Sequence, residues 1–108
     1  NGRIPVLVDH DQGDLVLYET AAICVHLADR FPAAKLAPPV GTPARAELYK
    51  WLAWMTNTLQ ARLMHYFYPE QATPEAAAHA GVRAAAEADV VAMLGQLDTL
   101  LASHPGPW

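Results

Sequence analysis

Two apolar periods divide this chain, and the switch between them limits the folds open to it. Ile4 to Asp9 (IPVLVD) and Leu15 to Tyr18 (LVLY) are short β-branched apolar runs, the first bounded by Gly2-Arg3 and by His10-Asp11-Gln12-Gly13. Their length, composition and flanks predict two strands. Asp11, Gln12, Gly13 and Asp14 make an antiparallel hairpin the natural join between them. Pro5 has no N–H, so it belongs at the first position of a strand or on an edge. Both runs are nearly continuously apolar, which predicts a sheet covered on both faces. After Pro32 no strand signal returns. A sheet followed by helices is therefore the architecture to expect.

The first helix is predicted from about Thr20 to Arg30. The Thr20 hydroxyl can cap it by accepting from an N–H of the first turn. Ile23, Leu27 and the following Phe31 give an apolar stripe, Arg30 suits the C-terminal dipole, and Pro32 stops the helix. Ala33 to Thr42 (AAKLAPPVGT) is rich in Pro and Gly and has no periodicity, as an interdomain linker would be. Thr42-Pro43 is a strong helix start. Leu48, Trp51, Leu52, Met55, Leu59 and Leu63 then predict one helix to about Tyr68, roughly 26 residues or about 39 Å. Thr73-Pro74-Glu75 repeats the start signal. An alanine-rich helix should follow to about Ser103, with Val82, Val90, Val91, Leu94, Leu97 and Leu101 on or near one face. His104-Pro105-Gly106-Pro107 closes it. Two long helices joined by a short loop should pack antiparallel.

Composition excludes several function classes. Seven Lys and Arg among 108 residues, with a net charge of -4, form no basic stripe, so nucleic acid is a poor partner. No apolar run approaches the roughly 20 residues that span a bilayer. One cysteine excludes an internal disulfide framework and fits a reducing, cytoplasmic compartment. The chain begins at Asn1 without Met and stops at Trp108, as a piece cut at both ends would.

Asn-Gly-Arg-Ile-Pro-Val-Leu at 1–7, Glu-Thr-Ala-Ala-Ile at 19–23, the Pro-rich linker and the two long helices together resemble the cytosolic glutathione transferases, in their bacterial form. The resemblance covers essentially the whole chain. It implies an α/β plus all-α fold. Residues 1–32 would be the second half (ββα) of a thioredoxin-like domain, 33–42 a linker, and 43–108 the first two long helices of a helical-bundle domain. Pro5 would be the cis-proline of that fold. Ile4 would pair its backbone with the cysteinyl part of glutathione, and Glu19 and Thr20 would hold the γ-glutamyl end. The physics agrees, since a helix N-terminus offers N–H donors to a carboxylate. The family's sulfur-activating Ser, Tyr or Cys lies upstream of the part seen here, so no catalytic residue is assigned in this chain. Alone, the 108 residues should be inactive and poorly stable.

Other residues carry plainer readings. Cys24 reads as a small structural residue, because His26, two positions on, does not face it on a helix. His10, His26, His65, His79 and His104 lack metal-site spacing, and no metal is expected. Asp9, Asp11 and Asp14 read as a solvated turn. Met64 to Tyr68 reads as core and dimer seam, or alternatively His65, Tyr66 and Tyr68 as the wall of an apolar co-substrate pocket. The resemblance implies a homodimeric enzyme that conjugates glutathione, its co-substrate, to a hydrophobic electrophile. The alternatives are a non-catalytic binding or regulatory module of the same fold, and a glutathione-dependent isomerase or dehalogenase.

Overall fold

Apolar, β-branched runs need a partner strand, and the two runs here find each other. In the computed structural model, which describes residues 4–103, β1 (Val6–Asp9) pairs antiparallel with β2 (Leu15–Tyr18). The Gly2-Arg3 flank and the closing His104-Pro105-Gly106-Pro107 lie outside the described residues. Val6 faces Tyr18, Leu7 faces Leu17, Val8 faces Val16 and Asp9 faces Leu15. The strand begins at Val6 rather than Ile4, because Pro5 cannot donate to a ladder. A short 3-10 turn, His10–Gln12, makes the reversal with Gly13 (φ 68°) and Asp14 (φ 58°) in left-handed conformations. Gly and Asp are the residue types that tolerate it.

The two faces of this ribbon differ. Leu7 and Leu17 are half-buried, whereas Val6, Val8, Val16 and Tyr18 are exposed. The expectation of a sheet covered on both faces is corrected among the described residues: one face is open. Helix α1 (Thr20–Arg30) packs on β2 and buries Ile23. The predicted stripe is corrected too. Phe31 is 57% exposed and Leu27 borders on exposure, while Ile23, His26 and Arg30 are the more enclosed positions. Nor does Thr20 cap the helix. Glu19 stands at the cap with no side-chain cap hydrogen bond, and the first turn closes through Ile23 N–H donating to the Glu19 carbonyl at 3.0 Å.

The stretch after Phe31 is irregular apart from a 3-10 turn, Pro32–Ala34. Thr42 does cap α2 (Pro43–Trp54): its Oγ1 accepts from the Arg45 N–H at 3.2 Å and donates to the Pro39 carbonyl at 2.7 Å. Arg45, only 2% exposed, donates from Nη2 to Asp29 Oδ2 (2.8 Å) and from Nη1 to the Pro38 carbonyl (3.1 Å). Its guanidinium also lies 4.9 Å from the centre of the Tyr49 ring. One buried arginine thus ties the end of α1, the irregular stretch and the first turn of α2 together.

The predicted single helix to Tyr68 is interrupted. A five-residue π segment, Met55–Leu59, separates α2 from α3 (Gln60–Phe67). The chain divides into two compact units nearby, Asn1–Leu52 and Ala53–Trp108. In the second unit α4 (His79–Ser103) starts later than Thr73-Pro74 predicted. Thr73 Oγ1 accepts from Glu75 N–H (3.3 Å), Glu75 is extended, and a 3-10 turn, Ala76–Ala78, precedes the helix. Helices α3 and α4 pack antiparallel. Arg62 Nε pairs with Asp89 (3.1 Å) and Arg83 Nε donates to the Tyr66 carbonyl (3.1 Å), so residues advancing on one helix meet residues receding on the other. Ala86 is buried and Val82, Val90, Met93, Leu97 and Leu100 are half-buried beside it, while Val91, Leu94 and Leu101 are exposed. No helix among the described residues is long and apolar enough to cross a membrane.

Candidate functional site

The register decides which residues share a place. With Val6 opposite Tyr18, the chain entering β1 and the chain leaving β2 lie at one end of the ribbon. Ile4 and Pro5 are on one side of that end, Glu19 and Thr20 on the other. The Ile4–Pro5 peptide bond is cis, as the resemblance implied for Pro5. Ile4 is 95% exposed, and Pro5, Glu19 and Thr20 are exposed as well. Glu19 has φ 73° and ψ 114°, a region L-residues with a side chain rarely occupy. That conformation turns the chain sharply from strand into helix, and no cap side chain covers the opening turn. A sheet end with free backbone beside a helix start can take an extended peptide and a carboxylate together.

Below this end, a charged cluster joins the strand to the helix. Asp9 is the last residue of β1 and its side chain is 10% exposed. Its Oδ2 accepts from His26 Nε2–H at 2.7 Å. Arg30 Nε stands 3.4 Å from the same oxygen, and Arg30 Nη2 donates to Asp11 at 3.2 Å. The hydrogen bond from His26 holds the Asp9 carboxyl below the ordinary carboxylate range; partial burial opposes this, and the Arg30 charge adds to it. The solvated-turn reading is therefore corrected for Asp9. It applies to Asp11 and Asp14, which are 84% and 76% exposed. His26 and Arg30 are four apart and so share one helix face, but nothing in the sequence says that this face meets the sheet.

Cys24 is exposed. With Val25, Leu27, Ala28, Leu36, Ala37, Leu48 and Leu52 it lines an apolar hollow of about 230 Å³. Among the described residues no three His, Cys, Asp or Glu side chains converge as metal ligands.

His65, Tyr66 and Tyr68 belong to the second unit. His65 and Tyr66 are half-buried and Tyr68 is 47% exposed. The Tyr66 and Phe67 rings meet edge to face, centres 5.1 Å apart.

A 60-residue stretch of the chain is 42% identical to glutathione S-transferase GstB of Escherichia coli (strain K12), covering 55% of this chain and 27% of that protein. Glutathione S-transferase 1 of Schizosaccharomyces pombe is 36% identical over 56 residues, 51% of this chain and 23% of its own length. Glutathione S-transferase 2 of the same organism is 48% identical over 31 residues, 29% and 14% of the two lengths. The matched stretches thus span about a quarter or less of these relatives. No family model matches the chain, and no solved structure matches it.

Proposed function

Because this chain is a relative of the glutathione S-transferases, we propose that it supplies part of the glutathione site of a transferase that conjugates glutathione to a hydrophobic electrophile. In this reading the strand pair and α1 are the second half of a thioredoxin-like domain, and residues from Pro43 onward begin a helical domain. The Ile4 backbone offers N–H and C=O to the cysteinyl main chain of the tripeptide, as one more strand would. Glu19 accepts from the γ-glutamyl ammonium. Thr20, at the opening of α1, offers N–H and hydroxyl to the neighbouring carboxylate. No position of this chain is assigned the activation of the sulfur. His65, Tyr66 and Tyr68 are assigned to the wall that receives the electrophile, and the working protein is assigned as a cytoplasmic homodimer.

One observation carries the proposal: the register that leaves Ile4 and Pro5 beside Glu19 and Thr20, all exposed, at one sheet end. The test is titration of glutathione by calorimetry into the intact protein and its Glu19→Ala and Thr20→Ala variants. Hydrogen bonds to charged groups contribute about 1.5–3 kcal/mol. Each variant should therefore bind roughly 10- to 100-fold more weakly. Equal affinity in wild type and both variants would refute the assignment.

A further inference from the structure

We infer that Asp9 is a positioning residue for the opening turn of α1: through His26 and Arg30 its carboxylate fixes the helix on the sheet, and so holds Glu19 and Thr20 at the sheet end. For its effect on a ligand the inference rests on the glutathione reading above; for its effect on the helix it does not.

The opening of α1 is weakly fixed by its own residues. Glu19 makes no side-chain cap bond and adopts a disfavoured φ of 73°. Such a conformation persists only where the surroundings impose it. The apolar anchorage is slight, since Ile23 is the one buried apolar side chain of the first unit among the described residues. Ile23 lies three residues from Thr20, about 4.5 Å along the axis, and Arg30 lies seven residues the other way, about 10.5 Å. A rigid helix held only at Ile23 would rock about that point and carry its start with it. Arg45 holds the far half at Asp29 (2.8 Å), and Asp9 grips it from the strand at His26 (2.7 Å) and Arg30 (3.4 Å), so Asp9 is the contact that fixes this half on the sheet. The charged groups facing this contact are Asp9 on β1, Asp11 on the turn, and His26 and Arg30 on α1. Of the three acidic residues around the hairpin only Asp9 is enclosed, and only Asp9 grips both side chains.

The test uses the intact protein with Asp9→Ala, Asp9→Asn and Asp9→Glu, all measured well below their melting transitions. The Ile23 amide, which donates to the Glu19 carbonyl, reports the opening turn, and the Phe31 amide, which donates to the Leu27 carbonyl, reports the other end. Amide exchange at Ile23 should accelerate about fivefold or more in Asp9→Ala, the low end of usual coupling between sites. It should do so beyond any change in the core of the second unit, and Asp9→Glu should recover much of the protection. Asp9→Asn keeps an oxygen for His26 but loses the charge, so it should fall between, and it serves if Asp9→Ala does not fold. Glutathione should bind about fivefold more weakly to Asp9→Ala, with turnover at saturating glutathione preserved. Unchanged exchange at Ile23, or equal acceleration throughout the protein, overturns the inference. Selective acceleration at Ile23 in a protein whose wild type fails to bind glutathione leaves the positioning role standing and removes the glutathione reading instead.

Discussion

A carboxylate at the end of a strand is ordinarily solvated, and Asp9 departs from that because a helix face brings His26 and Arg30 to it. The consequence is a pH dependence with a definite sign. A folded-state pKa below the unfolded value means the folded protein resists protonation there. The stabilisation is complete above the ordinary Asp range, near pH 4, and is lost as pH falls through the lowered value. Urea midpoints measured from about pH 6 down to about pH 2 should fall more steeply for the wild type than for Asp9→Asn. Parallel acid limbs would mean that Asp9 carries no folded-state shift. Glu19 supports a second prediction. Its φ of 73° costs a residue with a Cβ on the order of 1 kcal/mol, and glycine avoids most of that. Glu19→Gly should therefore be more stable than Glu19→Ala by about 1 kcal/mol in denaturant titration, although both lack the carboxylate.

At the scale of elements, Arg45 makes three contacts that no other side chain could make together. Its fork reaches Asp29 and the Pro38 carbonyl while its flat face lies over Tyr49. Lysine keeps the charge but has neither the fork nor the plane. Arg45→Lys should lower the melting temperature by a few degrees, and a melt that superimposes on the wild type would show the fork to be dispensable. Helix α4 separates buried from exposed apolar residues in the same way. Ala86→Leu should overpack the α3 contact and cost about 1–3 kcal/mol, whereas Val91→Ser, at a position 65% exposed, should stay within about 0.5 kcal/mol. The bounds of β2 and the end of α1 were legible in the sequence because a Gly turn and a Pro stop are local signals, whereas α1 starts at Thr20 without the cap its hydroxyl suggested. The inward face of α1 was not. Leu27 and Phe31 outrank His26 and Arg30 in any apolar count, and only the strand's Asp9 reveals that the polar pair faces the sheet. The π segment at Met55–Leu59 was equally illegible, since an unbroken apolar period runs through it. The sheet-end grouping of Ile4, Pro5, Glu19 and Thr20 follows from hairpin pairing, which period and turn residues do encode. The backbone strain at Glu19 does not, because nothing in Glu itself favours positive φ.

At the scale of the molecule, burial sets the stability. Among the described residues the buried apolar side chains are few: Ile23 in the first unit, Ala86 and Pro69 in the second. Each unit also presents an open apolar face: Val6, Val8, Val16 and Tyr18 on the ribbon, and Val91, Leu94 and Leu101 on α4. Fixing each residue costs roughly 1–2 kcal/mol of backbone entropy, and a small unit recovers this only by enclosing most of its apolar surface. Helical propensity does not depend on that enclosure, so the alanine-rich α4 can keep its hydrogen bonds while side-chain packing stays loose. Residues 1–108 expressed by themselves should therefore show strong far-ultraviolet helical dichroism, bind the dye ANS, and melt over a broad range. Covering either open face should sharpen the transition and reduce dye binding. A sharp, two-state melt without dye binding would mean that two thinly buried units suffice, and that the contacts at Asp9 and Arg45 contribute far more than charged pairs near a surface usually do.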